Sequence, residues 1–184
     1  MGLGNCAIAA IVSGMLGSSS LVLVRDARLA DAPALTALFR ETWEHTYRGI
    51  IPHVHLESMI RRRGLAWWRT TIRSRDTLLL LEFNGQAVGY ATCGAARSRG
   101  DFKSEIYELY LLPDFQGLGF GEHLFEACRH SLDEQRLRSL MVWALAQNEA
   151  AVSFYYRRGG RPVATTYERL GGARLEKIAF GWAD

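Results

Sequence analysis

One stretch limits what this chain can fold into more than any other. Residues 111–121 read Leu-Leu-Pro-Asp-Phe-Gln-Gly-Leu-Gly-Phe-Gly, with glycine at 117, 119 and 121. A β-rich run, residues 105–112, precedes it. The next run has helical periodicity, with Leu124, Cys128 and Leu132 on one face. Three alternating glycines let the backbone curl tightly, so that several N–H groups converge on one spot. The helix after them adds its unsatisfied N-terminal donors and the positive end of its dipole. Such a turn suits a pyrophosphate. Two other phosphate loops fit poorly. No Gly-Lys-Ser/Thr tripeptide occurs, and the spacing is Gly-x-Gly-x-Gly past mid-chain, not Gly-x-Gly-x-x-Gly at the start of a βαβ unit.

The rest of the chain supplies elements of both kinds. Residues 21–25 are β-rich, and Asp31 is placed to N-cap the first helix. From there Leu35, Leu38, Phe39, Thr42, Trp43, Thr46 and Tyr47 recur at three- and four-residue steps, one apolar helical face that Gly49 and Pro52 end. A second helix is expected over residues 54–73. Strand-like runs at 77–83 and 86–95 flank Asn84-Gly85, a strong hairpin signal because both residues tolerate positive φ. After the glycine turn the pattern predicts a helix over 119–134, a strand over 139–144 and a short helix over 149–157. Closing strands at 163–168 and 177–182 are separated by Gly171-Gly172. The expectation is one α/β domain, with a mixed central sheet of about six or seven strands and helices on both faces.

Composition excludes several classes. At 184 residues, 48% hydrophobic and 22% charged, the chain is long enough for one core and has the balance of an ordinary globular protein. The net charge of +3 is modest and spread out. The triplet Arg61, Arg62 and Arg63 reads as a solvated helix face, so no nucleic-acid partner is expected. Cys6, Cys93 and Cys128 are far apart, and no histidine spacing completes a zinc site, so no metal is expected and the thiols read as reduced ones in a cytoplasmic protein. Residues 1–20 carry no charged side chain. Their apolar run has the length of a signal-peptide core but lacks preceding basic residues, and it is too short to span a bilayer. They read as a flexible N-terminal extension ahead of a domain over residues 21–184, with no membrane partner.

Three sets of residues carry a family resemblance. Gln116-x-x-Gly119-x-Gly121, after a strand ending Leu109-x-Leu111-x-Pro113, resembles the acetyl-CoA signature of the GNAT superfamily of N-acetyltransferases. Asn148-x-x-Ala151-x-x-Phe154-Tyr155-x-x-x-Gly159 resembles its second signature, and Trp43-x-x-x-Tyr47-x-Gly49-x-x-Pro52 is similar to the first-helix region of many bacterial members. The likeness spans about residues 21–184 and implies the GNAT fold. It implies acetyl transfer from acetyl-CoA, as co-substrate, to an amine by direct attack in a ternary complex. Backbone groups of Gly117, Leu118, Gly119, Phe120 and Gly121, after Gln116, are then expected to hold the pyrophosphate. The main chain of Leu109 and Leu111 would pair with the pantetheine arm, which Asn148 also reaches. One departure stands out: Gly160 occupies a position where the family commonly has an aromatic residue.

The chemistry asks for a base, an acid and a pocket. Glu105, eleven residues before Gln116, is the first candidate base and Glu108 the second; strand alternation sets them on opposite faces, so one of them should look into the cleft. Tyr155 is the candidate general acid, because a phenol stays protonated at neutral pH and can donate to a departing thiolate. Tyr156 lies about 100° away on the helix and serves as its control. Tyr47 is expected to border the acceptor amine, with Trp43 in the core. The acceptor itself stays open, with a lean to a small-molecule amine because nothing marks a long peptide groove; a homodimer is compatible with the family. A non-catalytic acyl-CoA-binding module with the same fold is the alternative reading.

Overall fold

Four consecutive leucines, Leu78, Leu79, Leu80 and Leu81, explain why the sheet is covered on both sides. All are buried in strand β3 (Thr77–Phe83), and strand alternation sends Leu79 and Leu81 into one core and Leu78 and Leu80 into another. In the computed structural model, residues 7–12, 20–98 and 100–183 are described. The first core lies under α4 (Phe120–Glu134) and α5 (Glu149–Arg157); the second lies under α1 (Ala32–Tyr47), α2 (His53–Arg62) and α3 (Leu65–Ile72).

The remaining strands are β1 (Ala7–Val12), β2 (Ser20–Asp26), β4 (Gln86–Ala95), β5 (Ser104–Leu111), β6 (Leu140–Leu145), β7 (Arg161–Leu170) and β8 (Ala173–Trp182). Their order is β1-β2-β3-β4-β5-β6-β8-β7. Strands β2 to β8 form the mixed seven-stranded sheet that the sequence implies, and β1 adds an antiparallel eighth along β2. The extension expected over residues 1–20 otherwise falls outside the described residues, as does Cys6. Cys93 and Cys128 are free thiols, both buried.

Every strand pair is antiparallel except β5 and β6, which are parallel and register only at Ser104↔Leu140, Glu105↔Met141 and Ile106↔Val142. Beyond Ile106 the two strands diverge. That divergence opens the sheet where β5 runs on to Leu111.

Three local expectations differ from the structure. The single helix expected at 54–73 is two, because Arg63 and the extended Gly64 (ψ −172°) break the hydrogen-bond ladder between α2 and α3. Asp31 does not cap α1 with its side chain. Its carboxylate instead accepts from the Arg28 N–H at 2.6 Å and pairs with Arg25 at 2.7 Å, while Arg25 also binds Glu82, tying β2 to β3 and to the start of α1. Arg61 and Arg62 are exposed, but Arg63 turns inward, its guanidinium 4.8 Å from the Phe39 ring and 4.6 Å from that of Trp67. The triplet is therefore only two-thirds a solvated face.

Candidate active site

The glycine turn folds as its composition dictates, and each glycine serves a different need. Gly117 (φ +74°) and Gly119 (φ +85°) adopt left-handed backbone, with open space where a side chain would stand. Gly121 has ordinary dihedrals but lies under α5: a Cβ there would come within 3.2 Å of the Phe154 ring. The first N–H satisfied after the turn belongs to Glu122, bonded to Gly119 O at 3.0 Å. Among the described residues no acceptor takes the N–H groups of residues 117–121. The start of α4 thus presents a row of free donors, which fits an anionic diphosphate. Glu122 would oppose an anion there, but Arg158 of the α5 C-cap pairs with it. The Leu118 side chain is exposed and that of Phe120 is buried in the core, so these two residues have only main chain to offer.

The open edge of β5 continues this surface. Leu112 N–H bonds Val88 O across to β4, so by antiparallel alternation the main-chain groups of Leu111 and Leu109 point the other way, into the gap beside β6. Gln116 folds back, its side-chain amide donating to Leu111 O at 3.2 Å. Asn148 N-caps α5 through Oδ1, which accepts from the Ala151 N–H at 3.2 Å. Its amide NH₂ has no partner among the described residues. Leu109, Leu111, Gln116, Gly117, Gly119, Gly121, Asn148 and Tyr155 all line one cleft of about 610 Å³. Tyr155 is buried, and burial pushes its phenol well above the usual range. Tyr156 is exposed and does not line this cleft.

On the α1–α3 side lies a second cavity of about 390 Å³. Tyr47 lines it, as do Glu105 and Glu108 together. The expectation that only one carboxylate faces the cleft fails, because strict alternation does not hold in β5. Thr92 registers with Glu108 and Cys93 with Ile106, which leaves Tyr107 as an extra residue. This bulge resets the alternation between the two glutamates. Their surroundings differ. Glu108 pairs with Arg63 through Oε1, while its Oε2 is buried with no hydrogen-bond partner among the described residues. Glu105 is 8% exposed and accepts the Arg97 main-chain N–H at 2.9 Å; among the described residues no cation pairs with it.

Tyr110 joins the two cavities, since it lines both. Its hydroxyl is 2.6 Å from that of Tyr47, and burial pushes the Tyr47 phenol up to about 12. Sequence reasoning missed Tyr110, together with Arg63, Arg97, Trp143 and Lys177 of the second cavity. Tyr110 was accessible to it: it falls between Leu109 and Leu111 on the strand already assigned to the cofactor, and alternation turns it to the other face. Trp43 is buried in the core as expected, yet its ring also walls the second cavity.

The departure at Gly160 has a structural counterpart. A Cβ at 160 would lie 2.6 Å from the Trp182 ring, whose Nε1 donates to Arg158 O at 2.8 Å. The indole of β8 occupies the space that an aromatic at 160 would fill.

Known proteins resemble this chain in sequence and in fold. A family model described as the acetyltransferase (GNAT) family matches residues 33–160. An uncharacterized N-acetyltransferase of Bacillus subtilis, YuaI, is 29% identical over 166 residues, covering 89% of this chain and 94% of that protein. A spermidine N(1)-acetyltransferase of Thermoplasma acidophilum is 25% identical over 142 residues, 74% of this chain and 86% of its own. Among solved structures, the PaiA N-acetyltransferase of Thermoplasma acidophilum in complex with coenzyme A superposes with a TM-score of 0.71 at 22% identity, covering 88% of this chain and 99% of that one. That likeness is one of fold.

Proposed function

The chain belongs to the acetyltransferase (GNAT) family and is an N-acyltransferase of that family; we propose that it acetylates a small-molecule amine from acetyl-CoA by direct attack in a ternary complex. One observation carries the reading. A cleft with free main-chain donors at a helix start runs beside an open strand edge and meets, at Tyr110, a separate cavity holding Glu105. Two substrates can therefore reach one point from opposite faces of the sheet. A cavity of about 390 Å³ is the size of a small-molecule site rather than a peptide groove.

The residues present suit acetyl-CoA. Main-chain N–H groups of Gly117, Leu118, Gly119, Phe120 and Gly121 would hold its diphosphate, and the edge groups of Leu109 and Leu111 its amide-bearing arm, with Asn148 NH₂ beside them. The group supplies an acetyl thioester. Overall an ammonium and a thioester become an amide, a thiol and one released proton, so a proton must leave the amine and one must reach sulfur. Neutralising an amine of pKa ~10.4 at pH 7 costs about 4–5 kcal/mol. Glu105 is the carboxylate free to take that proton, Glu108 being committed to Arg63. Tyr155 Oη, kept protonated by burial, holds the proton for sulfur.

The test is calorimetry with acetyl-CoA on the wild-type protein, followed by CoA release over a panel of amines. Binding with amine-dependent CoA release supports the reading. Tight binding without release for any amine would instead favour a non-catalytic acyl-CoA module.

A further inference from the structure

The last strand of the sheet is bare. β7 exposes every residue from Arg161 to Arg169, Tyr167 by 53%, and β8 is its one neighbour in the sheet. An edge of this kind offers unpaired N–H and C=O groups to another strand, and folded proteins usually blunt it. Here the blunting stops halfway. Pro162 and the register shift between Pro162 and Ala164 protect the first residues, whereas residues 165–169 contain neither proline nor lysine.

Which main-chain groups stay open follows from the hairpin. Gly171 and Gly172 form a two-residue turn closed by Leu170 and Ala173, a pair that exchanges hydrogen bonds. Alternation then commits the main chain of Thr166, Glu168 and Leu170 to β8 and turns that of Thr165, Tyr167 and Arg169 outward. Among the described residues no acceptor or donor meets those outward groups.

The open run is its own complement. Three outward residues at two-residue spacing pair fully with an antiparallel copy only when Tyr167 faces Tyr167. Thr165 then faces Arg169, and three hydrogen-bonded pairs give about six main-chain bonds. Between them Thr166 faces Glu168, so no like charges stand directly opposite. Glu168 is in any case neutralised by Lys177 at 3.0 Å. The two tyrosines form an aromatic cross-strand pair, and Arg174 already packs over the Tyr167 ring at 3.9 Å.

We propose that β7 pairs antiparallel with β7 of a second copy of this chain, about a two-fold axis at Tyr167. Each copy carries a run of matching length and symmetry, which an arbitrary extended segment does not. The pairing consumes the open edge of both copies, so it closes as a dimer. It stands apart from the acetyl-transfer reading but borders the same site. Glu168 and Leu170 line the acceptor cavity, and the second copy sets its own Thr166 and Ala164 opposite them.

Sedimentation velocity of the full chain at micromolar concentration should show a dimer. Tyr167→Lys, at an exposed position, sets two ammonium groups opposite each other and should weaken dimerisation about tenfold or more. Tyr167→Cys gives an independent reading, made in a Cys6→Ser background because Cys93 and Cys128 are buried. Its paired Cα atoms would stand about 5.5 Å apart, within reach of a disulfide, so diamide should link it into a covalent dimer. Val163→Cys, far from its counterpart in this register, should not link. A monomer at every concentration would overturn the inference and leave the edge to an extended segment of another protein. A dimer that Tyr167→Lys leaves intact, or that Tyr167→Cys does not link, would overturn it too.

Discussion

At the scale of single residues, two side chains carry the proposed proton traffic and can be separated by kinetics. Glu105→Gln should lower turnover at neutral pH by roughly 100-fold, within the usual range for a general base. Activity should recover toward alkaline pH as the amine loses its proton unaided, so the acidic limb of the rate profile shifts rather than vanishes. The same profile for Glu108→Gln identifies the base: lowered turnover with that alkaline shift of the acidic limb there, and an unchanged profile for Glu105→Gln, would exchange their roles. Both carboxylates face the cavity, so orientation alone does not choose between them; the commitment of Glu108 to Arg63 does. Tyr155→Phe should keep acetyl-CoA affinity and lose turnover by about 100-fold or more. Tyr156→Phe, at an exposed position outside the cleft, should be nearly silent. Equal, small effects at both positions would take Tyr155 out of the mechanism.

At the scale of elements, the glycine turn and the α5–β8 contact make separate claims. Gly119→Val places a β-branched residue at φ +85°, a backbone strain of about 1–2 kcal/mol although the space is open. The variant should fold with modestly reduced stability and lose acetyl-CoA binding, because the donors at the start of α4 are re-aimed. Unchanged affinity by calorimetry would remove the turn from the cofactor site. Gly121→Val should show a larger stability loss, since its side chain meets the Phe154 ring and pushes α5 from α4. Where β8 crosses α5, Gly160→Ala should destabilise by about 1–3 kcal/mol through overpacking against Trp182. In a Trp182→Ala background that cost should shrink, a coupling measurable by urea unfolding of the four variants. Additive losses would mean that the indole does not fill the missing aromatic's place.

At the scale of the whole molecule, burial favours the neutral form of five tyrosines among the described residues: Tyr47, Tyr90, Tyr107, Tyr110 and Tyr155 have phenols pushed up, Tyr47 to about 12. Below pH 10 these phenols are protonated both folded and unfolded, so their contribution does not vary. Above pH 10 the unfolded chain releases protons that the folded chain retains, and stability falls as pH rises. The protein should therefore lose stability steeply between pH 10 and 12, followed by circular dichroism. Tyr47→Phe should flatten that slope. A curve flat through pH 11 would mean that these hydroxyls are better solvated than their burial implies.

Much of what depends on local order was legible in the chain alone, although the break at Arg63-Gly64 and the partners of Asp31 were not. The alternating glycines, the Asn84-Gly85 hairpin and the helical face from Leu35 to Tyr47 each act within a few residues of their own position. Short-range sterics and periodicity were enough to read them, and with them the strand-turn-helix of the cofactor cleft. The acceptor cavity was far less legible. Glu105 and Glu108 stand side by side only once the sheet has formed, because the bulge at Tyr107 depends on how β4 and β5 register. Packing likewise turned Arg63 inward, paired it with Glu108 and brought Lys177 of β8 over Trp143 of β6. Trp182 takes the place of an aromatic at 160 from the far end of two strands, which no local pattern reveals. A main-chain cradle is encoded where it folds, whereas a side-chain cavity is assembled from α1, α2, α3 and strands β3 to β8, whose mutual placement is decided by packing across the sheet.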